Sequence, residues 1–147
     1  MKTQHFDILI QAPRERVWAT MLQSPTCERW TSTFFEGSRF EGSWNAGERI
    51  RFLGPNGQGM VSEIAEHRPA EFVSIRHLGM IDEGGEDTTS EAVKAWAPCH
   101  ENYSFTDEAG GTRLRVAADV FGGYDDHMAR TWPLALEKLK ALCEGTH

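Results

Sequence analysis

Two side chains in this sequence are spaced for proton-transfer chemistry. His77 alternates with Val73 and Ile75, a period of two that turns all three to one face of a strand. Glu101 alternates in the same way with Tyr103 and Phe105. An imidazole and a carboxylate that both face an apolar interior make a general acid–base pair, so His77 and Glu101 are the candidate catalytic residues. The bland alternative is a core histidine held by one hydrogen bond. Glu63, Arg51, Asp119 and Tyr103 are the other polar residues able to reach such an interior. A buried carboxylate needs a partner in either case, so spacing does not separate a catalytic Glu63 or Glu101 from a structural one.

Other chemistries lack their residues. The six histidines contain no HxH or HExxH spacing, so no two imidazoles share a face at metal distance. Cys27, Cys99 and Cys143 are odd in number and far apart, which leaves no CxxC motif and no disulfide framework. They read as buried free thiols. Gly54-x-x-Gly57-x-Gly59 lies in a hairpin, not at a strand-to-helix turn, so it is no nucleotide cradle, and there is no GxSxG elbow. Neither a metal nor a bound cofactor is expected.

The five tryptophans are candidate pocket residues. Trp18 and Trp132 fall on apolar helical stripes, where core packing competes with a binding role. Trp30, Trp44 and Trp96 fall near strand ends or loops, where a pocket mouth would lie. Indoles bury a large area and keep a polar handle, which suits an amphipathic guest.

Positioning these groups falls first to the final stretch, residues 124–143. Met128, Trp132, Ala135, Leu136, Leu139, Leu142 and Cys143 recur on one helical face, with Asp126, Arg130, Glu137, Lys138 and Lys140 opposite. Gly122-Gly123 frees the chain before it, Asp125 or Asp126 can cap it, and Gly145 stands just past its end. At 1.5 Å per residue it spans about 30 Å and needs a broad apolar surface to lie against. Pro133 removes an amide that would bond the Ala129 carbonyl. That predicts a bend between Ala129 and Pro133, or a helix that begins near Trp132. Met128 and Trp132 would then mark the place to look first for a ligand.

The preceding chain reads as that surface. Residues 5–10 form a strand with Phe6, Ile8 and Ile10 inward, and residues 12–22 a helix opened by Pro13 with Val17, Trp18, Met21 and Leu22 on one face. Residues 26–31 add a turn or two with Trp30 inward. The period then becomes two, giving strands over 40–44, 48–53, 59–67 and 71–78 joined by short turns. Residues 79–92 break the rhythm with an acidic, glycine-containing run, read as a loop and as a candidate lid. Strands from residue 93 or 97 to 107 and from 112 to 121 precede the long helix. The expected architecture is α+β, with two short helices after the first strand. A curved antiparallel sheet of about six or seven strands then wraps round the C-terminal helix.

Length and composition set the outer limits. The 147 residues fit one domain, 1–147, and are 39% hydrophobic and 25% charged. A net charge of −7 with no concentrated basic patch argues against nucleic acid or an anionic membrane surface. No apolar signal core or transmembrane-length run is present, so a cytoplasmic protein without membrane insertion is expected. Exposed strand edges leave a homodimer open.

Several of these residues carry a family resemblance. Ala12-Pro13-x-Glu15-x-Val17-Trp18, Trp30, Trp44-x-x-Gly47 and Gly59-x-Val61-x-Glu63-Ile64 with Pro69 form its first part. Gly110-Gly111-Thr112-Arg113-Leu114 and Trp132-x-x-x-Leu136-x-x-Leu139-Lys140 complete it. The pattern resembles the START-like helix-grip superfamily, also called SRPBCC or polyketide-cyclase-like. Within it the chain looks most like the branch named after the activator of the heat-shock-protein-90 ATPase. The resemblance implies a sheet gripping the long helix around an elongated cavity for a hydrophobic or amphipathic small molecule. The ligand-binding set it suggests is Trp30, Trp44, Val61, Glu63, Ile75, His77, Trp96, Tyr103, Met128 and Trp132. Some relatives are cyclases or lyases, so a cofactor-free cyclase, dehydratase or hydrolase is the alternative function. Eukaryotic members touch the chaperone, which makes a chaperone-interacting regulatory module a third reading. Those members carry an additional N-terminal domain, so the full cochaperone role is not expected of this chain.

Overall fold

The computed structural model describes residues 2–34, 36–120 and 125–145. Strand β1 (Lys2–Ile10) leads through extended Pro13, at φ −66° and ψ 155°, into helix α1 (Arg14–Leu22). The i, i+4 pair Val17 and Met21 of α1 is fully buried. Helix α2 (Ser24–Thr31) follows at once, with a proline in its first turn where the missing amide costs nothing, and it buries Cys27 and Trp30. Strands β2 (Arg39–Gly42), β3 (Arg49–Leu53), β4 (Gly59–Arg68) and β5 (Phe72–Asp82) pair in sequence order. A short strand β6 (Gly85–Asp87), a single helical turn α3 (Glu91–Lys94), and strands β7 (Cys99–Glu108) and β8 (Gly111–Val120) come next. Helix α4 (Asp125–Glu144) ends the described chain.

The sheet has eight strands in the order β1-β8-β7-β5-β4-β3-β2, with β6 beside β5, and every pairing is antiparallel. The additional strand relative to expectation is β6. Its region, residues 79–92, was expected to be a loop. Instead β5 runs on to Asp82 and Met80, Ile81 and Asp82 pair with Asp87, Glu86 and Gly85. Main-chain pairing needs no apolar period, so hydrophobic patterning could not reveal it. Gly79 makes the hairpin possible, since a Cβ there would lie 2.0 Å from the Asp87 carbonyl oxygen. Glu86 then reaches Arg51 at 2.6 Å, and Asp87 accepts the amides of Thr89 and Ser90. The strand expected from residue 93 or 97 begins at Cys99, because Val93 is taken into α3.

Two register shifts between β4 and β5, one leaving Leu78 of β5 and the other Ala65 of β4 unpaired, bend the strands and help curve the sheet. At the β7–β8 hairpin Ala109 and Gly110 take φ of 50° and 79°, the two-residue turn whose twist matches the flanking strands. The concave face carries the core, with Ile50, Ile64, Val73, Ile75, Phe105, Leu114 and Val116 facing Trp132, Leu136 and Leu139 of α4. Helix α4 also lies against β1, α1 and α2. Among the described residues no helix is long and apolar enough to cross a membrane.

Helix α4 is continuous across Pro133, so the expected alternative of a helix beginning near Trp132 is wrong. Ala129 and Pro133 are both exposed, which leaves the carbonyl that loses its donor on the solvent side. Water can satisfy it there, and the buried stripe of Trp132, Leu136 and Leu139 is undisturbed. The expected strand end at Phe121, the Gly122-Gly123 link and the helix start at Tyr124 lie outside the described residues.

Because Pro133 packs against nothing that its loss would disturb, Pro133→Ala restores one helical amide and removes one ring clash. Stability is expected to rise by about 1–2 kcal/mol, less than the full helix-interior penalty because proline also restrains the unfolded chain. A denaturant midpoint that falls in the variant would contradict this account of the helix.

Candidate functional site

The concave face does not close completely on α4. Between them lies a cavity of about 310 Å³. The sheet contributes Phe52 from β3, Met60 from β4, Ile75 and His77 from β5, and Glu101 and Tyr103 from β7. Helices contribute Met21 and Leu22, then Cys27, Trp30 and Thr31, and finally His127, Met128 and Trp132. The connections around β2 supply Phe34, Ser38, Arg39 and Trp44.

Aromatic packing frames the space. Trp132 stacks on Phe6 at 5.9 Å between centroids, meets Phe34 edge-on at 4.9 Å, and stands 6.1 Å from both Trp30 and Tyr103. On the other side Trp44 packs between Phe40 and Phe52, and Phe52 meets the His77 ring edge-on at 5.8 Å. His67 donates through Nδ1 to the Trp44 carbonyl at 2.6 Å and packs against Trp18. That imidazole therefore serves the frame and not the cavity.

One polar row crosses this apolar wall. Register places Ser62 opposite His77 and Ile75 opposite Glu101, so His77 and Glu101 are diagonal neighbours on one face. Ser62 Oγ lies 2.7 Å from His77 Nδ1, and His77 Nε2 lies 3.1 Å from Glu101 Oε1. Tyr103 donates its hydroxyl to Glu101 Oε2. With a neutral imidazole, every atom is satisfied when Ser62 donates to Nδ1 and Nε2–H donates to the carboxylate. Ser62 is fully buried and the His77 side chain is 8% exposed, whereas Glu101 keeps 24% of its side-chain surface. Each carboxylate oxygen has a lone pair left for a donor arriving from the cavity.

Cys27 is the wall's thiol. Burial, reinforced by the charge of Glu101, pushes it up to about 12, so it stays protonated near neutrality and is no nucleophile. Cys99 is likewise pushed up to about 12 by burial and is free, as is Cys143. Among the described residues no three His, Cys, Asp or Glu side chains converge as a metal site.

Of the residues expected to form the site, Trp30, Trp44, Ile75, His77, Glu101, Tyr103, Met128 and Trp132 line the cavity. Val61, Glu63 and Trp96 do not. Alternation with the inward Met60 and Ser62 turns Val61 away from the concave side, opposite Arg51, which reaches out to Glu86. Glu63 pairs with Arg76 at 2.5 Å on that outer face. Trp96 follows α3 at the far end of the β5–β6 extension, a placement set by the hairpin that periodicity concealed. Arg51 and Asp119, considered as possible cavity residues, also face outward; Asp119 accepts from Thr3 and from the His100 amide. Phe52 and Met60 were missed although their alternation with Ile50 and Ser62 could have found them. Phe34 and His127 had no such signal, because irregular chain and the helix's rotation bring them in, and Arg39 enters from the start of the short edge strand β2.

These features place the chain among known proteins. The family described as Activator of Hsp90 ATPase homolog 1-like protein matches residues 11–144. No curated protein matches in sequence. A crystal structure of a Mesorhizobium loti protein superposes with a TM-score of 0.74 at 19% identity, covering 99% of each chain. The Aha1 of Colwellia psychrerythraea, solved in solution as a dimer, has a TM-score of 0.72 at 16% identity and covers 99% of this chain and 98% of its own. DynU16, a protein of the dynemicin biosynthetic locus, has a TM-score of 0.69 at 16% identity over 98% of this chain and 48% of its own. At these identities the superpositions carry the fold alone: a curved antiparallel sheet gripping a long C-terminal helix. The family match spans nearly all of the sequence, and the chain belongs to the Activator of Hsp90 ATPase homolog 1-like family.

Proposed function

We propose that the protein binds a hydrophobic or amphipathic small molecule in the cavity between the sheet and α4. The observation that carries this reading is a largely aromatic and aliphatic wall crossed by a hydrogen-bonded polar row, with Ser38, Arg39 and His127 also on the lining. Such a site holds an apolar body by burial and orients it by one polar group. Its volume of about 310 Å³ favours a guest of one to three rings or a short chain. The ligand-binding residues of this reading are Trp30, Trp44, Ile75, His77, Tyr103, Met128 and Trp132.

A second reading has its own observation. His77 and Glu101 stand within hydrogen-bond reach inside a cavity, which suits a cofactor-free cyclase, dehydratase or hydrolase. Glu101 would accept a substrate proton and His77 would hold the carboxylate in place. Support for a chaperone-docking role is thinner. Among the described residues the large exposed hydrophobics are Met80 and Leu134, on different elements, which make no broad apolar face. A homodimer is part of the proposal, supported by the Colwellia relative's dimer and by the free sheet edges at β1 and β2.

Three measurements test these readings. Native mass spectrometry of protein from its own host is expected to show a bound lipophile that Met60→Trp, which fills the cavity, has lost while still melting cooperatively. Recovery of none, with no thermal shift across a lipid and polyketide panel, removes the cavity reading. For the enzyme, Glu101→Gln should cut turnover on polyketide-type substrates by about 10²-fold or more while leaving ligand affinity within a few-fold. Wild-type protein that binds these compounds and returns them unchanged is a binding protein only. Light scattering at micromolar concentration should give twice the 16.5 kDa chain mass, and a mass of one chain ends the dimer proposal.

A further inference from the structure

Three indoles surround the cavity, and they differ in how their N–H groups are served. Trp30 donates to the Met21 carbonyl at 3.1 Å. The Nε1 atoms of Trp44 and Trp132 are shielded from solvent and have no hydrogen-bond partner among the described residues. Trp132 as a whole is 1% exposed. Buried indole N–H groups ordinarily find an acceptor, and leaving one unpaired is costly. Both rings line the same cavity, one from α4 and one from the connection after β2.

The cavity's own polar groups do not serve them. Ser62, His77, Glu101 and Tyr103 are engaged with one another, and Thr31 donates to the Cys27 carbonyl at 2.6 Å. The two indoles flank that row. Trp132 stands 6.1 Å from Tyr103, and Trp44 reaches His77 through Phe52. Both N–H groups belong to rings of the cavity wall, and their nitrogen atoms are closed even to water, so a guest oxygen reaches one only as the adjacent side chains give way. Such donors recognise an oxygen that accepts and does not need to donate.

We infer that the cavity selects apolar molecules bearing a carbonyl oxygen, which accepts a hydrogen bond from the indole N–H of Trp44 or Trp132, over hydrocarbons of the same shape. This rests on the proposal that the cavity binds a small molecule, and it adds the chemical class. Two tryptophans of the proposed ligand-binding set become specificity-determining residues.

The test is a set of matched pairs, tetralin with 1-tetralone and fluorene with 9-fluorenone, titrated into the full chain. A wholly apolar cavity prefers the hydrocarbon, which is less comfortable in water, so the sign of the preference is decisive. The expected result is at least tenfold tighter binding of the ketone, about 1.4 kcal/mol. The indole resonances of Trp44 and Trp132 in ¹⁵N-labelled protein, assigned from Trp44→Phe and Trp132→Phe, should move downfield with the ketone and not with the hydrocarbon. Each variant should lower the ketone-to-hydrocarbon affinity ratio several-fold, the hydrocarbon reporting any change in packing. If Trp132→Phe does not fold, the wild-type ratio and Trp44→Phe still decide. Hydrocarbons that bind as tightly as ketones, or a ratio unchanged in the variants, overturn the inference and leave the cavity reading standing. Failure of every compound in both series to bind overturns both.

Discussion

Trp132 is the contact on which the assembly turns. Its ring meets Phe6 of β1, Trp30 of α2, Phe34 of the following connection and Tyr103 of β7. Three regions of the chain, far apart in sequence, are therefore held at fixed distances by one side chain. An aromatic ring of this size buries more area than any other residue could, and edge-on contacts fix its orientation as well as its position. Helix α4 is tied there to the sheet at one height, while Leu136, Leu139 and Cys143 fasten its remaining length. Above that anchor the curved sheet and the helix diverge, and the cavity is the space left.

The same geometry creates an electrostatic demand. Glu101 projects from β7 into a wall made mostly of hydrocarbon and aromatic rings, where an unpartnered carboxylate would be costly. Tyr103 and His77 each serve one of its oxygens, and Ser62 holds the far side of the imidazole. The bulge at Leu78 of β5 matters to this arrangement, because the register shift there sets Ser62 opposite His77. Structural satisfaction and chemical competence thus coincide in one row. A carboxylate held by two donors is satisfied where it stands and keeps lone pairs for an incoming donor. The indole N–H groups of Trp44 and Trp132 supply the opposite polarity on either side of it.

Much of this was legible without coordinates, for reasons that differ by residue. His77 and Glu101 could be turned inward because strand side chains alternate strictly, so neighbours of known burial fix their face. Trp132, Leu136 and Leu139 could be placed on one stripe because helical period is equally strict. Val61 and Glu63 were misplaced although the same rule turns them outward, since Met60, Ser62 and Ile64 alternate inward without a break. The β5–β6 hairpin was invisible because its stabilisation is main-chain pairing at a glycine, with acidic side chains that carry no period. Continuity of α4 through Pro133 depended on which side of the helix the orphaned carbonyl faces, a matter of packing against the sheet.

By itself, then, the sequence determined the elements, the face each presents to the interior, and the family they belong to, because local periodicity and turn chemistry act over a few residues. Tertiary structure alone decided the strand register, the bulges between β4 and β5, and the space left unfilled beneath α4. It also decided which buried polar groups find partners within the chain and which two indoles do not. Those outcomes depend on side chains brought together from distant positions, and no local pattern contains the distances between them.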